Sequence, residues 1–357
     1  MLKLLKKLSF VAILSCCVSA CNNKVGIASE YSENAKVNEL ASRLSIPIMT
    51  RVVAGNRFYY VRLRIGNGPE TNAILDTGSI GLRAISAVVP NRAKNGRPII
   101  YHFESGNELH GSVSNENIAA GGHPLGTVPV QVVDELRCTS QVPGCAVARL
   151  DASTPFAQGI DGRSNQEFGA IMGIRLFARD RAVPNPLRAA GFKLWVVQLP
   201  RRDGELGALI LDASPTELSN FTRITVDKNG SLAACLDSSG ATQSMCLPTV
   251  LDTGDPHVFV YLHDIKNQVL RANMLMTLEF TDSLNAGQKV ALTFTSAKNQ
   301  AKKSQEPLRY NPNLVSLRQL KNPQEPPYIN SGYLPFLDYL IYFDADEQVI
   351  GMRARTR

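Results

Sequence analysis

Two copies of one short pattern constrain this chain more than anything else in it. Ala73-Ile74-Leu75-Asp76-Thr77-Gly78-Ser79 is echoed far downstream by Thr249-Val250-Leu251-Asp252-Thr253-Gly254-Asp255. The apolar residues predict a buried strand, and the glycine a sharp turn beside the acid. One Asp-Thr-Gly means little, since Asp and Gly are ordinary turn residues. Two, each behind a similar apolar run, predict two related halves that each offer one carboxylate to a shared site. Carboxylates held a few ångströms apart cannot both ionise, so one keeps a proton. The charged partner can take a proton from water while the protonated one donates to a carbonyl oxygen. Such a pair activates water without a metal or a covalent intermediate.

Further segments, in order along the chain, resemble the pepsin-like aspartic peptidases. Tyr59 to Gly66 followed by Ala73 to Ser79 is similar to that family's first hairpin and first active-site loop. Ile118-Ala119-Ala120-Gly121-Gly122 resembles the end of the strand after the flap, and Phe168 to Ile174 the segment that backs the first catalytic loop. Leu187 to Leu199 and Gly207 to Asp212 resemble the passage into the second lobe, and Tyr342-Phe343-Asp344 through Gly351 the closing strands. The resemblance implies an all-β, bilobal acid-protease fold with a central cleft: an N-terminal lobe over residues 48–200 and a C-terminal lobe over 201–357. It implies Asp76 and Asp252 as the catalytic dyad, supported by Thr77, Gly78, Ser79, Thr253, Gly254 and Asp255. Ser79 would donate to Asp76, and the two threonines would tie the loops together. A peptide or protein substrate would lie extended in the cleft, a pepstatin-type inhibitor would bind there, and no cofactor would be needed.

Several positions depart from that pattern. Asp255 stands where a Ser or Thr donor is usual; ionised, it cannot donate and adds a third negative charge. That charge points to acidic working conditions, or else to a side chain turned away as part of an ordinary turn. Arg83 replaces the tryptophan that helps to support the flap, which weakens that support. Ile99 to Gly122 is the expected flap hairpin, with Gly111 to Gly122 as its returning strand. Its tip lacks the usual Tyr-Gly pair, so Phe103, Tyr101 and Glu104 are the candidates for the lid. Ile329-Asn330-Ser331 precedes Gly332 where apolar residues are expected, and Tyr333 replaces an acid.

Composition bounds the rest. The 357 residues are 44% hydrophobic and 19% charged, which fits a folded chain rich in turns. Lys3, Lys6 and Lys7 followed by Leu8 to Ala20 form a basic-then-apolar leader too short to span a bilayer. Val18-Ser19-Ala20-Cys21 resembles a bacterial lipobox, so residues 1–20 are expected to be a signal peptide and Cys21 the lipidated residue. Residues 21–47 would tether the chain to the membrane. Asn22 suggests sorting to an outer membrane, facing the periplasm or the surface of the cell envelope. Beyond the leader and Cys21, four cysteines remain: Cys138, Cys145, Cys235 and Cys246. An even number in an oxidising compartment suggests pairing. Three connectivities are open, of which the sequence-adjacent pairs close the shortest loops; free thiols and a metal cluster are the alternatives. The formal charge of +7 includes the three leader lysines, and no basic surface interleaved with aromatics indicates nucleic acid. No metal-ligand spacing, nucleophile elbow or phosphate loop occurs.

Along the chain, alternation predicts strands at Phe58 to Ile65, Val128 to Val133, Met276 to Phe280 and Val290 to Phe294. Leu187 to Ala190 reads as a helix stopped by Gly191. Pro200 to Gly204 is the expected hinge between lobes, and Ser296 to Pro327 a long insertion loop. Two functions follow. One is an acid endopeptidase; the other is a catalytically weak lipoprotein of the same fold that binds peptides or an envelope protein. The paired Asp-Thr-Gly copies favour the first, and Asp255, Arg83, the flap tip and Asn330-Ser331 the second.

Overall fold

The computed structural model describes residues 44–356 except 54, 93–94, 150–159, 161–167, 177–181, 240–243, 267–271, 286 and 298–310. The leader, Cys21 and nearly all of the expected tether lie outside the described residues. Residues Arg43–Arg357 form one compact unit.

The alternating segments do become strands. β1 (Ser45–Val53), β2 (Asn56–Ile65) and β3 (Thr71–Asp76) run antiparallel in succession and lead into the first Asp-Thr-Gly. After it come β4 (Ile80–Ile85), β5 (Arg97–His102), β6 (Asn107–Ala120), β7 (His123–Cys138) and β8 (Ala170–Ile174). β9 (Leu194–Gln198), β10 (Gly207–Leu211) and β11 (Thr222–Thr225) follow. The second set is β12 (Leu232–Ser238), β13 (Met245–Val250), β14 (Val258–Leu262), β15 (Leu275–Thr281), β16 (Lys289–Thr295), β17 (Val315–Gln319) and β18 (Tyr328–Asn330). β19 (Tyr339–Asp344) and β20 (Val349–Ala354) close the chain.

Among the described residues these strands make two mixed sheets, one of thirteen strands and one of seven. Each contains the same five-strand motif. In the larger, β2 pairs antiparallel with β3, β3 parallel with β8, β8 antiparallel with β4, and β4 parallel with β7. In the smaller, β12, β13, β18, β14 and β17 repeat that order and those directions one for one. The two Asp-Thr-Gly loops therefore leave matching strands, β3 and β13, and return into matching strands, β4 and β14. Buried Leu75, Met172, Trp195, Leu236, Phe280 and Ile341 belong to one apolar cluster that spans both sheets.

Pro200 to Gly204 lies in the connection between the antiparallel neighbours β9 and β10 of the larger sheet. Two sequence expectations need correction. The returning strand of the β5–β6 hairpin begins at Asn107 rather than Gly111, since its backbone pairs with β5 as far as Glu108 opposite His102. Ser296 to Pro327 is not all loop: Val315–Gln319 alternates Val and Leu with polar residues, and pairs parallel with β14 as the counterpart of β7.

The helix expected near Leu187 is a single turn, α1 (Pro186–Ala189), with Gly191 beyond it at a φ of 96°. Asn185 caps it by accepting from Leu187 N at 2.9 Å. The same side chain donates to Ile174 O, which fixes the end of β8 behind the first loop.

Both sequence-adjacent cysteine pairs are disulfides, Cys138–Cys145 and Cys235–Cys246. The second joins residues directly opposite each other on β12 and β13. Closing that loop removes about 3 kcal/mol of unfolded-state entropy on the chain-entropy estimate. The double Ser variant at Cys235 and Cys246 should lose that order of stability in urea unfolding under non-reducing conditions.

Candidate active site

β3 and β13 deliver Asp76 and Asp252 to loops that interlock. Thr77 N donates to Thr253 Oγ1 at 3.1 Å, and Thr253 N donates to Thr77 Oγ1 at 3.0 Å. Thr77 Oγ1 then donates to Leu251 O at 2.9 Å, and Thr253 Oγ1 to Leu75 O at 2.5 Å. Each hydroxyl accepts from one loop and donates to the strand end behind the other acid. Thr77 and Thr253 are almost fully buried, so no water competes for these four bonds.

The glycines bring the carboxyl groups in. A Cβ on Gly78 would lie 2.2 Å from Asp252 Cγ, and one on Gly254 would lie 2.9 Å from Asp76 Cγ. Each acid thus rests against the other loop's glycine, and any side chain there would displace it. Asp76, 8% exposed, accepts from Gly78 N at 2.8 Å and Ser79 N at 2.9 Å on Oδ1, and from Ser79 Oγ at 2.5 Å on Oδ2. Ser79 is thus the donor that the sequence resemblance implied.

Asp252 is served differently. Gly254 N donates to its Oδ1 at 2.8 Å. Its other oxygen receives Asn330 Nδ2 at 2.6 Å, and the same nitrogen reaches Asp255 Oδ2 at 2.5 Å. Asn330 Oδ1 accepts from Gly332 N at 2.9 Å, so the amide cannot be reversed without losing all three bonds. β18 lies beside β13 with Asn330 opposite Val250, two residues ahead of Asp252, which explains its reach. Asp255 therefore faces the site, as the acceptor that orients a donor. Asn330 supplies what a Ser or Thr at 255 would have supplied, and this overturns the reading of Asn330 and Asp255 as two separate weaknesses.

Burial first, then the charges of Asp76 and Asp255, hold the Asp252 carboxyl well above the usual carboxylate range. The Asn330 and Gly254 donors pull the other way and are outweighed. Asp252 thus keeps its proton to higher pH than an isolated aspartate. The third carboxylate extends that range upward.

The β5–β6 hairpin carries Tyr101, Phe103 and Glu104, which meet different surroundings. Arg83, fully buried, donates through Nη1 to Ile80 O and Gly81 O, and its guanidinium carbon lies 3.3 Å from the centre of the Tyr101 ring. A cation under an aromatic face is a strong contact when desolvated. Arg83 therefore supports the hairpin by stacking, a correction to the expectation that it leaves the hairpin poorly held. Phe103 packs edge-on against Tyr101 with ring centres 4.9 Å apart. Glu104 stands exposed at the tip, where partial desolvation by the surrounding protein and nearby Glu325 push its carboxyl up. Tyr101 and Phe103 both pack against the core, and Tyr101 is the one that stacks on Arg83.

Three participants were missed in the sequence: the donor role of Asn330, the stacking role of Arg83, and Arg175. Arg175 Nη1 reaches Gly78 O at 3.4 Å, directly behind the first loop. Tyr261 and Tyr328 also stack across β14 and β18, 4.5 Å apart, two residues along β18 from Asn330. Neither residue follows any spacing that marks it in sequence. Tyr333, in place of an acid, is buried edge-on against Tyr59 with ring centres 4.9 Å apart.

No protein-family model matches the chain, and no curated protein sequence matches it either.

Removing one hydroxyl from the threonine pair should be costly. Thr253→Val leaves Thr77 N and Leu75 O buried without partners, at about 2–4 kcal/mol. Equilibrium unfolding should show that loss with little change in secondary structure.

Proposed function

We propose that the chain is a pepsin-like aspartic endopeptidase, built from two lobes around the repeated five-strand motif, that hydrolyses extended polypeptides. One observation carries this: the Thr77 and Thr253 bonds interlock two loops that hold each acid against the other loop's glycine. Asp76, accepting three hydrogen bonds, is furnished as the charged partner that takes a proton from a bound water. Asp252, protonated, donates to the carbonyl oxygen of the scissile peptide as water adds. The tetrahedral product collapses when a proton passes to the leaving nitrogen, and the dyad regains its starting state. The Tyr261–Tyr328 pair offers an apolar wall for a substrate side chain near the acids, and Tyr101 a lid over the peptide. A lipid on Cys21 would place this chemistry in the bacterial envelope, on the outer membrane.

The features that argued for a mere binding protein have counterparts here. Asp255 is matched by Asn330, and Arg83 by Tyr101, so neither departure removes support from the dyad.

A mixed peptide pool incubated from about pH 3 to about pH 7, with and without pepstatin, tests the reading. Pepstatin-sensitive cleavage that disappears in both D76N and D252N is expected. Its absence across the whole range would favour the binding protein. The rate should fall toward neutrality as Asp252 loses its proton, because a raised pKa keeps the acid form below it and loses it above.

Asn330→Leu removes a hydrogen bond to a charged or shared-proton site, worth about 1.5–3 kcal/mol. At the pH of maximal activity, kcat/KM should drop roughly 10- to 150-fold. KM should change little, since Asn330 is satisfied by the acids and Gly332 rather than by substrate.

A further inference from the structure

Arg175 follows β8 directly, one residue past the strand that backs the first loop. Besides Gly78 O, its guanidinium reaches Asn229 O at 3.1 Å and Ser231 Oγ at 3.2 Å. That turn is itself braced, because Asp227 Oδ1 accepts from Asn229 N and Ser231 N at 2.8 and 2.9 Å. Gly230 lies flat on Leu176, where a Cβ would come 2.4 Å from Leu176 O. The guanidinium is thus held from both sides, and it keeps its charge at any ordinary pH. A fixed cation stands behind the glycine that touches Asp252.

The charged and titratable groups facing it come from four elements. They are Asp252 on the second loop, Asp76 at the end of β3, Asp227 in the turn ahead of β12, and the Tyr101 hydroxyl on β5. Among these, Asp252 acts on it most strongly. Arg83 lies under the Tyr101 ring, and Asp255 reaches Asp252 through Asn330. Charge can then be counted. A dyad that shares one proton carries one negative charge, and an ionised Asp255 adds a second. Arg175 returns the total to that of a site with two carboxylates alone.

We propose that Arg175 is a positioning residue that offsets the third carboxylate, Asp255, so that the dyad keeps its shared proton over the pH range of an ordinary two-carboxylate site. This rests on the peptidase reading above. Arg175 and Asp255 act in opposite directions on the same proton. Losing the cation raises the affinity of the acids for protons, and losing the anion lowers it.

The test is a pH profile of kcat/KM for wild type, R175M, R175K, D255N and the R175M/D255N double variant. Both limbs should move up by about one pH unit in R175M and down by a similar amount in D255N. The double variant should return close to wild type. R175K keeps the charge while losing the forked contacts to the turn, so its profile should stay near wild type even if its stability falls. Superimposable profiles for wild type and R175M would reduce Arg175 to a structural clamp and overturn the proposal. If R175M does not fold, D255N decides alone: an unshifted profile overturns it as well. Carbon-13 NMR titration of the aspartate carboxyls in the same proteins keeps this separate from the peptidase reading. Absence of cleavage by every protein would sink the peptidase reading alone, while identical Asp252 titrations in wild type, R175M and D255N would sink the offset.

Discussion

Everything in the site depends on the four hydrogen bonds that Thr77 and Thr253 make across the two loops. They are the point at which two sheets, each with its own hydrogen-bond ladder, agree on one geometry. A hydroxyl is suited to this, since it accepts and donates at once. Each threonine satisfies a backbone N–H from the opposite loop and a backbone carbonyl behind the opposite acid. With these bonds made, Gly78 lies against Asp252 and Gly254 against Asp76, and the acids are forced into each other's field. The raised Asp252 carboxyl is then a consequence of burial first, and next of the Asp76 and Asp255 charges that this loop geometry brings close.

The five-strand repeat explains why such a knot is possible. A strand that ends at an acid has to stop with its last residues buried, and a loop there would leave backbone groups unpaired. Both halves solve this in one way. A later strand, β8 or β18, lies parallel to the acid-bearing strand on one side and antiparallel to the strand after the loop on the other. The loop therefore emerges between two paired strands whose ends are held by the same neighbour. The second copy is looser: β18 is three residues long, and the loop from Leu251 to His257 is longer than its counterpart. Asp255 and Asn330 meet beside that loop.

How much of this was legible depended on whether a residue's role was local. The paired acids, the threonines, Ser79 and both disulfides act within a few residues of where they stand in sequence, or through a motif that names its partner. Asn330 acts on an acid 78 positions earlier, through strand pairing that no local pattern encodes. Arg83 is a charged residue in a six-residue strand whose every position is buried, so composition alone marks it as a misfit. Its partner, Tyr101, becomes visible only once β5 folds back beside the loop. The strand at Val315–Gln319 was hidden for the same reason. It is short, half-buried and flanked by polar sequence, and it is defined by its parallel neighbour β14 more than by its own residues.

The departures at 83, 255 and 330 also form a pattern of their own. Each places a charged or polar group where the pepsin-like scheme uses a different chemistry, and each is answered by a partner from another strand. Asp255 without Asn330 would leave two carboxylates facing each other with no donor between them. Asn330 without Asp255 would have an amide hydrogen with no acceptor in a buried place, a cost of about 1–3 kcal/mol. Neither change is tolerable first and alone, which ties the two positions together more tightly than their separation in sequence suggests. A site rewired in this way keeps the geometry of its acids while changing the field around them. The proton they share then depends on the balance of that field, with Asp255 on one side and Arg175 on the other.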